Sequence, residues 1–136
     1  MSLRTRVTFS IDEANKTLIF RYIGNLTGDQ LYGQIFDSLK EVESPWLYDF
    51  LVDARRLDGV ILASDTEAFG HIWAELAKGR DRGRRIAVVS SDPLIRARKT
   101  LRDAIFPDRV SGVFETMEAA TDWLQTPDDQ PSSVTA

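Results

Sequence analysis

The stretch Tyr48-Asp49-Phe50-Leu51-Val52-Asp53-Ala54 decides the fold. Its centre, Phe50-Leu51-Val52, is apolar without alternation, and an unbroken β-prone run of this kind is buried on both faces, as in a parallel sheet. The flanks support that reading. Ser44-Pro45 closes whatever precedes it, because proline disfavours helical geometry in the residue before it. Downstream, Ser64-Asp65-Thr66-Glu67 opens a helix: Ser64 with Glu67 three residues later has the spacing of a capping box, which satisfies two otherwise unpaired backbone donors. The strand therefore sits between two helices, which is the pattern of a crossover connection.

Working towards the N-terminus, Leu31, Tyr32, Ile35, Phe36, Leu39 and Val42 recur at helical spacing and give one apolar stripe, with Thr27 as the expected N-cap. Before that helix, Leu18 to Ile23 is a β run containing Phe20 and Tyr22. Arg21 interrupts it, so one face of this strand meets solvent. Val7, Phe9 and Ile11 alternate with Arg6, Thr8, Ser10 and Asp12, the period-2 signature of a half-buried strand. The turn formers of Asp12 to Lys16 join the two strands as an antiparallel hairpin.

Towards the C-terminus, Phe69, Ile72, Trp73 and Leu76 form the expected buried stripe of the second helix, which ends at Gly79. Ile86-Ala87-Val88-Val89 is a short apolar strand. Ser91-Asp92-Pro93 starts a third helix with a cap and a helix-compatible proline, and Leu94, Ala97, Leu101, Ala104 and Ile105 are its expected inner face. Val110, Val113 and Phe114 mark a fifth strand. Glu118 to Leu124 is a last helix anchored by Ala119, Ala120, Trp123 and Leu124. From Gln125 onward Pro, Asp, Ser and Gln predict a flexible tail. The order β-β-α-β-α-β-α-β-α predicts a single three-layer α/β domain over 1–124, with a mixed, mostly parallel five-stranded sheet, an N-terminal hairpin and four helices.

Composition narrows the function classes. A chain of 136 residues fits one domain. It has no cysteine, which excludes disulfides, thiolate nucleophiles and cysteine-ligated zinc. Seventeen basic against 21 acidic residues leave a net charge of −4, opposite to the basic face that nucleic acid requires. No apolar run is long enough for a transmembrane segment, and Met1 to Arg6 has no apolar signal region, so a cytoplasmic protein is expected. His71 is the single histidine. With no cysteine and no carboxylate dyad beside it, neither a metal site nor a nucleophilic triad is expected. The glycines at 24, 28 and 33 fit neither a dinucleotide fingerprint nor a P-loop. No cofactor is implied.

In their order along the chain, Phe20–Gly28 leading into a helix, Leu51-Val52-Asp53-Ala54-Arg55, Arg85–Val89, and Val113-Phe114-Glu115 before Ala119-Ala120-Thr121-Asp122-Trp123-Leu124 resemble the STAS domain group, specifically the SpoIIAA-like anti-sigma-factor antagonists. The same fold group includes the lipid-exchanging CRAL-TRIO domains. The resemblance implies a non-enzymatic regulatory or protein-binding domain, with a carrier or sensor of a small apolar ligand as the alternative. In the antagonists a serine at the N-terminus of the second helix is phosphorylated, within a segment like Asp-Ser-Ser-Gly. The matching segment here, Ala63-Ser64-Asp65-Thr66-Glu67, lacks the paired serines and the glycine.

The candidate residues follow from these readings. Ser64 and Thr66 are candidate phospho-acceptors, where a phosphate would meet the positive end of a helix; simple capping is the competing role. Arg55, Arg56, Asp65 and Trp46 are a candidate partner-binding surface, Trp46 being the expected exposed aromatic. Asp53, Ser90, Ser91 and Asp92 are a candidate polar rim at the carboxyl ends of the strands, where ligands of open α/β sheets bind. Tyr32, Phe36, Phe69 and Trp73 are candidate walls of an apolar pocket. The basic residues Lys78 to Arg85 and Arg96 to Arg102 read as a solvated face or a site for an acidic partner. A protein partner is expected, and a homodimer is left open.

Overall fold

The computed structural model describes residues 5–126. Strands β1 (Arg6–Asp12) and β2 (Thr17–Gly24) form the antiparallel hairpin, with Phe9 opposite Phe20 and Val7 opposite Tyr22. Helix α1 (Gly28–Leu39) then crosses to β3 (Asp49–Leu57), α2 (Ala63–Ala77) crosses to β4 (Arg85–Val89), and α3 (Pro93–Ala97) with α4 (Lys99–Ile105) crosses to β5 (Val110–Phe114). Helix α5 (Met117–Gln125) closes the described chain. The sheet order is β1-β2-β3-β4-β5, antiparallel at the first pair and parallel at the others.

This order has a consequence for the layers. Each parallel strand is added on the same side of the last, so right-handed crossovers put α1, α2 and α3–α4 all on one face. Phe20, Phe50, Val52, Ile86 and Val88 pack there against Leu31, Ile35, Phe69 and Trp73. The other face is covered by α5 alone, where Leu51, Ala87 and Val89 meet Ala120, Trp123 and Leu124. β3 is buried from Asp49 to Ala54, because it lies in the middle of the sheet with helices on both sides.

Local chemistry explains the ends of the elements. Thr27 caps α1 in a full capping box: its hydroxyl accepts from Gln30 N, and the Gln30 side chain accepts from Thr27 N at 3.0 Å. Such a cap contributes on the order of 0.5–2 kcal/mol. The capping box expected at Ser64 and Glu67 is absent. The N-cap of α2 is Leu62, with no side-chain cap, and Ser64 already lies inside the first turn. Asp92 caps α3 by accepting from Leu94 N at 2.9 Å, as the cap-proline pattern predicts.

Further expectations are corrected. The third helix is two short ones, broken at Arg98, so the described chain has five α-helices rather than four. Neither piece buries a residue fully, and Leu94, Ala97 and Ala104 are exposed; Leu101 and Ile105 turn inward as expected, joined by Ile95 and Phe106. Ile72 is exposed on α2, because Phe69, Trp73 and Ala77 already define its inner stripe. Gln125, the first residue of the expected tail, is the last residue of α5, and the part of that tail from 127 on falls outside the described residues. Among the described residues no helix is long and apolar enough to cross a membrane.

Candidate functional site

The helical face of the sheet is not fully closed. Between it and the helices lies a cavity of about 160 Å³. Its floor is Phe20, Phe50, Val52, Ala54, Ile86 and Val88 from β2, β3 and β4; Tyr32, Thr66 and Phe69 form the wall from α1 and α2. Ile95, Leu101 and Phe106 and the loop residues Gly59, Val60 and Ile61 complete it. The lining is largely apolar. Its polar members are Tyr22, Tyr32, Thr66, Asp92, Arg98 and Arg102.

Ring packing and one hydrogen bond fix the wall. Tyr32 stacks on Phe69 at 4.8 Å between centroids, and its hydroxyl shares a 2.8 Å hydrogen bond with Thr66 Oγ1. Helices α1 and α2 come together closely here. A Cβ at Gly28 would lie 2.1 Å from Asp65 Oδ2, so only glycine admits the Asp65 carboxylate against the first turn of α1. A carboxylate at that position faces the positive end of the helix. On the other side of α2, a Cβ at Gly70 would lie 2.2 Å from Ile105 Cγ2, which lets α4 seat directly on α2.

Desolvation shapes the polar lining. It raises the Tyr22 phenol well above its ordinary range, raises Tyr32 against the opposing effect of the Thr66 hydrogen bond, and lowers Arg102. Arg98 donates to Ile61 O, and Arg102 Nη2 donates to Ile95 O at 2.8 Å.

Of the four predicted pocket walls, Tyr32 and Phe69 line this cavity, and Phe36 and Trp73 do not. Trp73 is buried deeper. It meets Phe50 edge-on at 5.3 Å and donates Nε1 to Asp81 Oδ2 at 2.7 Å. Arg109 Nε donates to the same oxygen at 2.7 Å, and its guanidinium lies over the rings of Phe50 and Trp73. This buried group is structural: it seals the core beside the cavity. Phe36 packs at the edge of the core with Lys40 over its ring.

The predicted polar rim is divided by the pleat. Asp53 is on the α5 face, opposite Val52 and Ala54, because side chains alternate along a strand. There Arg55 holds it through two 2.9 Å bonds, with Arg21 at 3.8 Å, and the Arg55 hydrogen bond lowers its pKa against the opposing effect of burial. Ser90 is buried and its Oγ accepts from Asp92 N; Ser91 is exposed, and Asp92 alone of the four borders the cavity.

The predicted partner surface is also dispersed. Arg55 and Arg56 are exposed at the end of β3. Asp65 is half-buried against Gly28. Trp46 is not the exposed aromatic expected: it is half-buried, and the Arg80 guanidinium covers its ring at 3.5 Å. Ser64 is exposed on the first turn of α2, whereas Thr66 is engaged with Tyr32. His71 is exposed.

Arg98 and Arg102 are the residues that sequence reasoning placed in a surface cluster and the structure places at the cavity. The signal for them is spacing. They stand four apart on the same turn-to-turn line as Ile95 and Ile105, which is the inward face of the broken helix rather than its outer one.

No family model matches the chain, and no curated protein matches it. Among solved structures it is similar to a protein of the DUF3478 family from Shewanella loihica PV-4, described as uncharacterized and as having a SpoIIAA-like fold. The two superpose with a TM-score of 0.59 at 22% identity, over 91% of this chain and 98% of that one. The chain therefore has the SpoIIAA-like fold that its order of elements predicts.

Proposed function

We propose that this chain is a non-enzymatic binding domain that senses or carries a small, largely apolar molecule. The observation that supports this is the cavity walled by Tyr32, Phe69 and the apolar floor of the sheet. Its volume of about 160 Å³ is close to that of an engineered apolar cavity of about 150 Å³ that takes up benzene. A ligand with a single ring or a medium alkyl chain matches it. The test is calorimetric and NMR titration of the full chain with 1-octanol. Saturable binding is expected, with amide shifts concentrated on β3, β4 and the first turns of α2. Shifts scattered over the surface without saturation would rule the reading out.

A regulatory role through a protein partner joins this reading for one specific reason. The loop at the cavity mouth leaves Val60 67% and Leu62 58% exposed, and Leu94 across from it 42% exposed. Large apolar side chains at a mouth form a surface that a bound ligand would rearrange. Hydrogen exchange over residues 58–66, with and without octanol, should slow on binding; unchanged exchange there would separate binding from any such output.

A further inference from the structure

Among the charged side chains that line the cavity, two are guanidiniums and one is a carboxylate. The carboxylate, Asp92, is occupied as the cap of α3. Among the described residues neither Arg98 nor Arg102 has a carboxylate within ion-pair distance. Asp103, next in sequence to Arg102, is held by Lys99 and Ser111 at 2.7 Å each and acts on Arg102 only through space. Both guanidiniums spend one N–H on a backbone carbonyl, and Arg102 Nε is buried with no hydrogen-bond partner.

A buried cationic N–H without an acceptor is costly, and each such group in a folded protein needs an explanation. The other buried orphan, Arg109 Nη2, has one: its guanidinium is paired with Asp81 and lies 4.0 Å over the Phe50 ring. Arg102 has neither an ion pair nor an aromatic face. Arg102 lines the cavity with its guanidinium, and its Nε is buried behind that lining without an acceptor.

We propose that the cavity takes an amphipathic monocarboxylate, with its apolar body against Phe20, Val52 and Val88 and its head group on Arg102 and Arg98. This rests on the reading of the cavity as a ligand site. The charge count selects the class. Two guanidiniums and one carboxylate leave a single positive charge, which a monoanion neutralises and a phosphate dianion would exceed. A planar carboxylate also suits the fork of an arginine, where a hydroxyl supplies no charge. Desolvation lowers Arg102 from its ordinary value, a penalty on its cation that a bound anion would offset.

The experiment is calorimetric titration of the full chain with octanoate, 1-octanol and octylamine, which share a tail and differ in head-group charge. Octanoate should bind at least about tenfold more tightly than octanol, the effect of a charge-assisted hydrogen bond. Octylamine should bind more weakly than octanol. Arg102→Gln should bring octanoate down to the affinity of octanol while leaving octanol within about twofold, as expected when one charged partner alone is removed. Arg98→Gln should have the same sign of effect and serves if the first variant does not fold. Equal binding of octanoate and octanol by the unmodified chain would overturn the proposal and leave the apolar site standing. Equal losses of both ligands in Arg102→Gln would overturn it too. Binding of none of the three would remove the ligand site itself, and the head-group assignment with it.

Discussion

Ala54→Leu tests whether the space in the core is a real, fillable cavity. Ala54 lies on β3, is 5% exposed, and lines the floor between Val52 and the loop at the mouth. Leucine adds three carbons directed into a space of about 160 Å³. At about 0.8 kcal/mol for each buried CH₂, the added burial contributes roughly 2 kcal/mol. Fixing the leucine rotamer opposes this by about 0.5–1 kcal/mol. The expected net gain is on the order of 1–1.5 kcal/mol if the side chain enters the cavity. Urea denaturation followed by tryptophan fluorescence measures it, and octanol titration of the same variant should show binding lost. In a close-packed core the same substitution would instead lower stability by about 1–3 kcal/mol. A destabilised variant that still bound octanol would refute both the volume and the location of the site.

Two further outcomes follow from the polar core and the opposite face. Asp81→Leu should destabilise by about 3–5 kcal/mol, because it strands the Arg109 cation in a place where that side chain is fully buried. Asp81→Leu combined with Arg109→Met should recover much of that loss, so a double variant no more stable than the single one in urea denaturation would count against the pairing. For Asp53, Arg55 holds the folded carboxyl below the ordinary value of 3.8, so its contribution is present above that pH and fades as the pH falls through the lower folded value. Asp49 acts in the opposite sense, since burial raises it and protonation on acidification relieves a penalty. The stability difference between the unmodified chain and Asp53→Asn should thus be largest near neutrality and shrink below pH 3.8, and a difference constant with pH would contradict the assignment.

Most of the architecture was legible because it rests on short-range patterns. The apolar centre of β3 announced burial on both faces, Arg21 announced the solvent face of the hairpin, and Asp92-Pro93 announced the start of α3. Failures came where tertiary contact decided the outcome. Ser64 has the spacing of a capping box, but the chain enters α2 earlier, at Leu62, and the first turn packs Asp65 on Gly28. Arg98 reads as another surface cation, yet it marks the break between α3 and α4 and reaches the Ile61 carbonyl across the mouth. Trp46 beside Pro45 reads as exposed, and no local pattern foretells that Arg80, far along the chain, covers it. The site was half visible for the same reason. Tyr32 and Phe69 belong to clear apolar stripes, whereas the face that Arg102 presents depends on where the broken helix settles.

A cavity of this kind needs a cause, since the core around it is otherwise well packed. Filling apolar space of this kind would restore contacts that its lining forgoes. Collapse would require α3 and α4 to sink onto the floor of the sheet. Gly70 already lets α4 approach α2 as closely as Ile105 allows, so the helix cannot slide further in that direction. Downward movement would carry Arg98 and Arg102 into apolar surroundings and break the Arg98 bond to Ile61. Burying a charge deeper costs more than the packing it would restore. The Tyr32 bond to Thr66 holds the adjoining wall in place. The Gly70–Ile105 contact and the Tyr32–Thr66 bond therefore hold roof and wall apart, and Arg98 and Arg102 line the space that a bound carboxylate would enter.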